Sequence, residues 1–147
     1  MKIPIQYIYR ILDANFNRAS EGLRVVEEIA RFVLGNASLV RSLKETRHSL
    51  GQAAKDIPSS LLEFRESEKD VGASLTTVSE DKRENIYSIA LANFRRAQEA
   101  VRVLEEFGKL VDGKQASNFK RLRFRLYGLE KEVRKGLDEM GTVSHLG

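Results

Sequence analysis

The sequence predicts an all-α fold: a bundle of four principal helices built from two duplicated helical hairpins, with a long central loop. Three observations predict it. Residues 14–35, ANFNRASEGLRVVEEIARFVLG, return at 92–113 as ANFRRAQEAVRVLEEFGKLVDG, a gapless match at a spacing of 78 in which twelve of twenty-two positions are identical. Apolar residues recur at helical spacing in both copies, and no segment shows the alternation of a half-buried strand. The spacing is too long for a solenoid repeat, so it fits two hairpins related by a pseudo-twofold axis within a single domain, residues 1–147.

Helix one is expected to begin near Pro4, a good first-turn residue, and to run to about Leu34, with Gly35-Asn36 as its stop. Ile8, Leu12, Ala19, Gly22, Val26 and Ala30 fall on one face of it, and Asn15 lies at the centre of that face. Ser38 is the expected N-cap of helix two, Leu39 to about Ile57, which Pro58 ends; repeat one therefore covers about 5–57. The connection, about 58–79, is too long to be idle inside a compact domain. Ser79 with the acidic Glu80, Asp81 and Glu84 predicts that helix three runs from about Glu80 to Val111, where Asp112-Gly113 stops it. Helix four is expected from Ser117 to Glu139. It echoes helix two, because LKETRHSL at 43–50 aligns with FKRLRFRL at 119–126. Repeat two then covers about 80–140, with the tail GTVSHLG frayed.

At 147 residues the chain can bury one core unaided. The absence of cysteine excludes a disulfide framework, a cysteine zinc site and thiol catalysis, and two histidines, His48 and His145, make no metal centre. The start MKIPIQYIYRIL has no signal-like apolar core and no run is long enough to span a bilayer, so a cytoplasmic protein without membrane contact is expected. A net charge of +4 among 31% charged residues of mixed sign attracts anions only weakly. Lys120, Arg121, Arg123 and Arg125 form a basic cluster on helix four, but it belongs to no recognised nucleic-acid module, and nucleic acid is not expected as a partner. Phosphate loops, dinucleotide fingerprints and the zinc or serine hydrolase motifs are absent.

Small residues, Ala19 and Gly22 in one copy and Ala97 and Ala100 in the other, predict where helices one and three cross. Asn15 and Asn93 sit on apolar faces and need partners, because a buried amide without them costs about 1–3 kcal/mol. They either bond each other or a helix carbonyl, or line a pocket and read a ligand's polar edge. Arg18, Glu21 and Arg24 step along one flank, as Arg96, Glu99 and Arg102 do in the second copy. Such a ladder is either a solvated salt-bridge face or an anion site, in which Arg forks hold phosphate and Glu takes Mg2+ or a proton. In the loop, Arg65, Glu66, Glu68 and Asp70 stand beside Gly72 as a Mg2+-capable cluster.

The runs RILDANFNRASEGLRVVEEIARFVL and ANFRRAQEAVRVLEEFGKL, the loop residues Arg65, Asp70, Val71 and Gly72, and FKRLRFRLYGLEK together resemble a known family. It is the all-helical domain often fused in front of thiamine phosphate synthase, described as a monofunctional hydroxymethylpyrimidine phosphate kinase. The resemblance covers nearly the whole chain, and the form expected is the free-standing one, without the synthase barrel. It implies a phosphotransferase of thiamine biosynthesis that uses ATP and Mg2+ to convert 4-amino-5-hydroxymethyl-2-methylpyrimidine phosphate to its diphosphate. On that reading we assign Arg18, Glu21, Arg96 and Glu99 to catalysis and Arg24, Arg102 and Arg65 to the nucleotide phosphates. Asn15 and Asn93 then read the aminopyrimidine, and Glu21, Glu99 and Asp70 are the Mg2+ ligands. The expected partners are the small-molecule substrate, a second copy in a homodimer, and thiamine phosphate synthase. Two other classes remain open: a non-catalytic helical adaptor for the synthase, and an all-α mutase of the chorismate mutase sort. Dependence on ATP separates them.

Overall fold

The computed structural model describes residues 2–57, 71–72 and 83–146, with side chains described as far as Gly141. Helix α1, Ile5–Glu28, continues into a wider π turn over Ile29–Val33; α2 spans Ala37–Ala54, α3 Ile86–Gly108 and α4 Gly113–Leu146. Among the described residues there is no strand, and the all-α bundle is as expected. No helix among them is long and apolar enough to cross a membrane.

Several boundaries differ from the expectation, and local hydrogen bonding explains why. The end of the first long helix is closed by Gly35, whose φ of +59° is the left-handed conformation that favours glycine, and by the Asn36 N–H donating to the Ala30 carbonyl at 3.1 Å. That turn makes Asn36, not Ser38, the cap of α2: its side-chain oxygen accepts from the Leu39 N–H at 3.0 Å. Helix α2 ends at Ala54, three residues short of Ile57. Helix α3 starts at Ile86 rather than Glu80, because Asn85 accepts from the Ser88 N–H at 2.8 Å while the Ser88 hydroxyl oxygen accepts from the Asn85 N–H at 3.1 Å, a reciprocal cap. Helix α4 is longer than expected at both ends: it begins at Gly113 and runs through the predicted frayed tail to Leu146.

The four helices form a closed ring of contacts, α1 against α2 and α3, α3 against α4, and α4 against α2. Helices α1 and α3 cross at the small residues: Ala19, Ala97 and Ala100 are buried, and a Cβ on Gly22 would lie 2.8 Å from the Asn93 carbonyl oxygen. That separation is below van der Waals contact, so only glycine permits the approach. Inside the ring, Leu23, Leu43, Leu50, Phe94, Leu104 and Leu126 are wholly buried, and the Phe16 and Phe119 rings meet edge to face with centroids 5.6 Å apart. The bundle therefore exposes the outer face of the α1/α3 pair, on which the repeated polar residues stand.

Candidate functional site

The repeated residues divide into two sets. One set holds each hairpin together. Glu27 is fully buried, and the Arg47 fork from α2 donates to it, Nε at 3.0 Å and Nη2 at 3.4 Å; in the second copy the Arg123 Nε donates to Glu105 at 2.9 Å. Arg47 and Arg123 occupy matching positions of the echoed helices, so the same buried ion pair joins the two helices of the hairpin in both halves. Arg24 lies 3.4 Å from both Glu27 and Glu28, and Arg102 lies 3.1 Å from Glu105 and 2.9 Å from Glu106. Burial pushes the Glu105 carboxyl up, but the hydrogen bonds and charges of Arg123 and Arg102 outweigh that and leave it below its ordinary value. Arg24 and Arg102, expected at the nucleotide phosphates, are thus paired with carboxylates of their own helices. Glu27 and Glu105 are visible in the sequence as identical positions of the repeat but take no role there, because a helical carboxylate reads as surface; the aligned arginines of α2 and α4 were the available signal.

The other set faces outward. A concave pocket of about 530 Å3 lies between the first half of α1 and the second half of α3, lined by Tyr7, Arg10, Asn15 and Arg18 of α1, Val103 of α3 and Val71 of the loop turn. The pocket therefore joins three of the stretches that carried the resemblance. The Asn15 Nδ2 donates to the Ile11 carbonyl at 2.8 Å, and the Asn93 Nδ2 repeats this with the Ile89 carbonyl at 2.9 Å. The helix-carbonyl alternative thus holds for both asparagines, and the carbonyl of Asn15 is what remains for a ligand.

The two copies differ in their outward arginines. Arg96 reaches across the crossing to Glu21 at 3.7 Å, whereas among the described residues Arg18 has neither its mirror partner Glu99 nor any other carboxylate within ion-pair distance. No described residue lining the pocket is acidic, so Arg10 and Arg18 give it a net positive charge. Arg10 was missed in the sequence because Ser88 stands at its mirror position; its place eight residues before Arg18, on the same flank, was the signal.

Arg65 and Asp70 lie outside the described residues, so their expected places over the site are not described. Among the described residues no group of three His, Asp or Glu is gathered for a metal. Glu21 and Glu99 are both exposed carboxylates, and Glu21 is paired with Arg96 across the crossing. On helix α4 the basic cluster is divided: Arg123 turns inward to Glu105, Arg125 pairs with Glu45 at 3.3 Å, and Arg121 donates to Asn118 at 3.2 Å.

A Synechocystis protein named thiamine-phosphate synthase is 46% identical over 84% of this chain and 35% of its own length. Those of Nostoc punctiforme and Rhodopirellula baltica are 44% and 41% identical over 87% and 86% of this chain. The chain spans about a third of the length of these relatives. No solved structure matches it. The model of the ThiD2 family matches residues 10–132, from the pocket arginine Arg10 through both ion-paired hairpins, and this chain belongs to the ThiD2 family.

Proposed function

We propose that this protein acts in thiamine biosynthesis as a kinase that transfers the γ-phosphoryl group of ATP to hydroxymethylpyrimidine phosphate, giving the diphosphate and ADP. The observation that carries the reading is the pocket with two arginines, Arg10 and Arg18, and no opposing carboxylate among its described lining. A guanidinium without a protein anion is poised for a phosphate, which it holds as a fork. The attacking group is an oxygen of the substrate phosphate, already ionised near neutral pH, so the protein's task is alignment and charge neutralisation.

On this reading Arg18 and Arg10 hold the substrate phosphate, and the Asn15 carbonyl accepts from the exocyclic amine of the pyrimidine. Arg96 leaves Glu21 for the nucleotide phosphates, and Asn93 supplies the matching acceptor on the second copy. Arg24 and Arg102, neutralised by the carboxylates of their own helices, reach the nucleotide phosphates only by giving up those pairs, and Arg65 is the further nucleotide arginine of this reading. Mg2+, when bound, neutralises phosphate charge; Glu21, Glu99 and Asp70 are the residues to hold it. The relatives' name, thiamine-phosphate synthase, supports the pathway, and their greater length favours a second reading in which this domain serves as an adaptor to a synthase.

A coupled assay for ADP release decides between them. With ATP, Mg2+ and the pyrimidine monophosphate the wild type releases ADP in proportion to diphosphate formed, and Arg18→Ala loses most of that rate while keeping its thermal midpoint. No substrate-dependent ADP from folded wild type would leave the adaptor reading standing. Conversion without nucleotide would point to a mutase.

A further inference from the structure

The repeat allows the two ends of the bundle to be compared position by position. Where α3 turns into α4, a half-open cavity of about 380 Å3 lies, walled by Tyr9, Phe16 and Phe119 and edged by Asp56, Asp112 and Gln115. At the mirrored end, leucines take the equivalent places: Leu34 for Asp112, Leu39 for Gln115 and Leu129 for Ala53. Leu39 and Leu129 are buried there, and the Leu34 methyls come within 3.1 and 3.2 Å of where a Cβ on Gly136 would stand. At that end leucines fill the equivalent places, and the opening there lies on the outer side of the α1–α2 turn; at the other end an aspartate, a glutamine and an alanine leave the volume between the helices open.

We propose that this cavity is a second binding site, for an unphosphorylated planar amino-heteroaromatic molecule. Three aromatic side chains supply flat apolar walls at a volume suited to one small ring system. Asp56 accepts from the Gln115 Nε2 at 3.3 Å and Asp112 from the Lys114 N–H at 2.9 Å. Each carboxylate keeps further lone pairs for an exocyclic amine or a protonated ring nitrogen. The same two charges turn away a phosphate. At roughly 100° per residue, Tyr9, Leu12 and Phe16 lie on the side of α1 opposite Arg10, Ala14 and Arg18, so one ligand cannot fill both this cavity and the arginine pocket.

The test uses 4-amino-2-methylpyrimidine as the probe, titrated by calorimetry without nucleotide, so that a failed kinase assay has no bearing on it. Saturable binding is expected to the wild type and equally to Arg18→Ala, and to be at least tenfold weaker in Ala53→Leu, which copies the leucine-filled end and should fold with an unchanged or higher thermal midpoint. In parallel, the Gln115 side-chain amide signal of the wild type should shift on addition of the probe. Absence of saturable heat with the wild type, an unmoved Gln115 signal, undiminished binding to Ala53→Leu, or binding lost in Arg18→Ala would each overturn the proposal.

Discussion

In the first hairpin Glu27 is sealed from solvent with Arg47, Arg24 and Arg31 around it; in the second, Glu105 is slightly exposed and has only Arg123 and Arg102. The same staple thus closes both halves, with one more guanidinium around the carboxylate in the first and shorter contacts in the second. Outside the staples the halves part ways. Arg96 is paired and Arg18 is not, and one end of the bundle is filled with leucine while the other is hollow. Positions that hold each hairpin together are alike in the two copies, and so are Asn15 and Arg18 beside the pocket; what differs is the pairing of the shared arginines and the residues at the two ends of the bundle.

The staples give the largest expected effect. Removing one partner of a buried pair leaves its counter-charge uncompensated, at about 3–5 kcal/mol. Glu27→Ala should reach that range in urea unfolding, and Glu105→Ala should fall measurably below it, since its site admits some water and involves one guanidinium fewer. Equal losses at the two sites would remove the claimed difference between the hairpins.

The outward arginines come next. On the proposed reading Arg18→Ala removes a phosphate ligand, and losing one such preorganised group should lower kcat by about 100- to 1,000-fold. Arg96→Ala should cost less turnover, because its guanidinium must first leave Glu21, and Glu21→Gln, which frees Arg96 but weakens a proposed Mg2+ ligand, should lower activity in a way that raised Mg2+ partly restores. Steady-state kinetics of the three variants test this order, and a larger loss from Arg96→Ala than from Arg18→Ala would invert the assignment of the copies.

The crossing offers a smaller contrast. A methyl group at Gly22 meets the Asn93 carbonyl, a backbone atom that cannot swing aside, so Gly22→Ala should destabilise by about 1–3 kcal/mol. Its mirror Ala100→Gly changes helix propensity and a little packing, at about 1 kcal/mol. Denaturation midpoints of the pair would show whether the close approach is confined to one side.

Much of this fold was legible because identity at a fixed spacing and helical periodicity report the same thing, two amphipathic hairpins. Asn15 and Arg18 were legible for the same reason. Helix starts were not: Ser38 and Asn36 both cap well, and only the left-handed turn at Gly35 decides between them, just as the Asn85–Ser88 reciprocal bonds override the acidic stretch before them. Arg10 and the hollow end escaped because a search for identities passes over Ser88, Leu34 and Leu129, the residues at which the copies disagree. Glu27 escaped because its burial is set by an arginine twenty residues away on another helix.

The smallest effect concerns acid. Glu105 is held below its ordinary carboxyl value of 4.5 in the folded chain, so between that value and the depressed one the unfolded chain binds more protons. Its contribution to stability is therefore complete above about pH 4.5 and is lost as the pH falls through the folded value. Glu105→Gln lacks this titration. The gap in urea midpoint between wild type and Glu105→Gln should be constant from pH 7 to pH 5 and should narrow steadily below pH 4.5 as the wild type surrenders the ion pair to Arg123. A gap that stayed constant down to pH 3 would mean that Arg123 and Arg102 do not hold the carboxylate more tightly when folded, and the second hairpin would then owe its closure to packing alone.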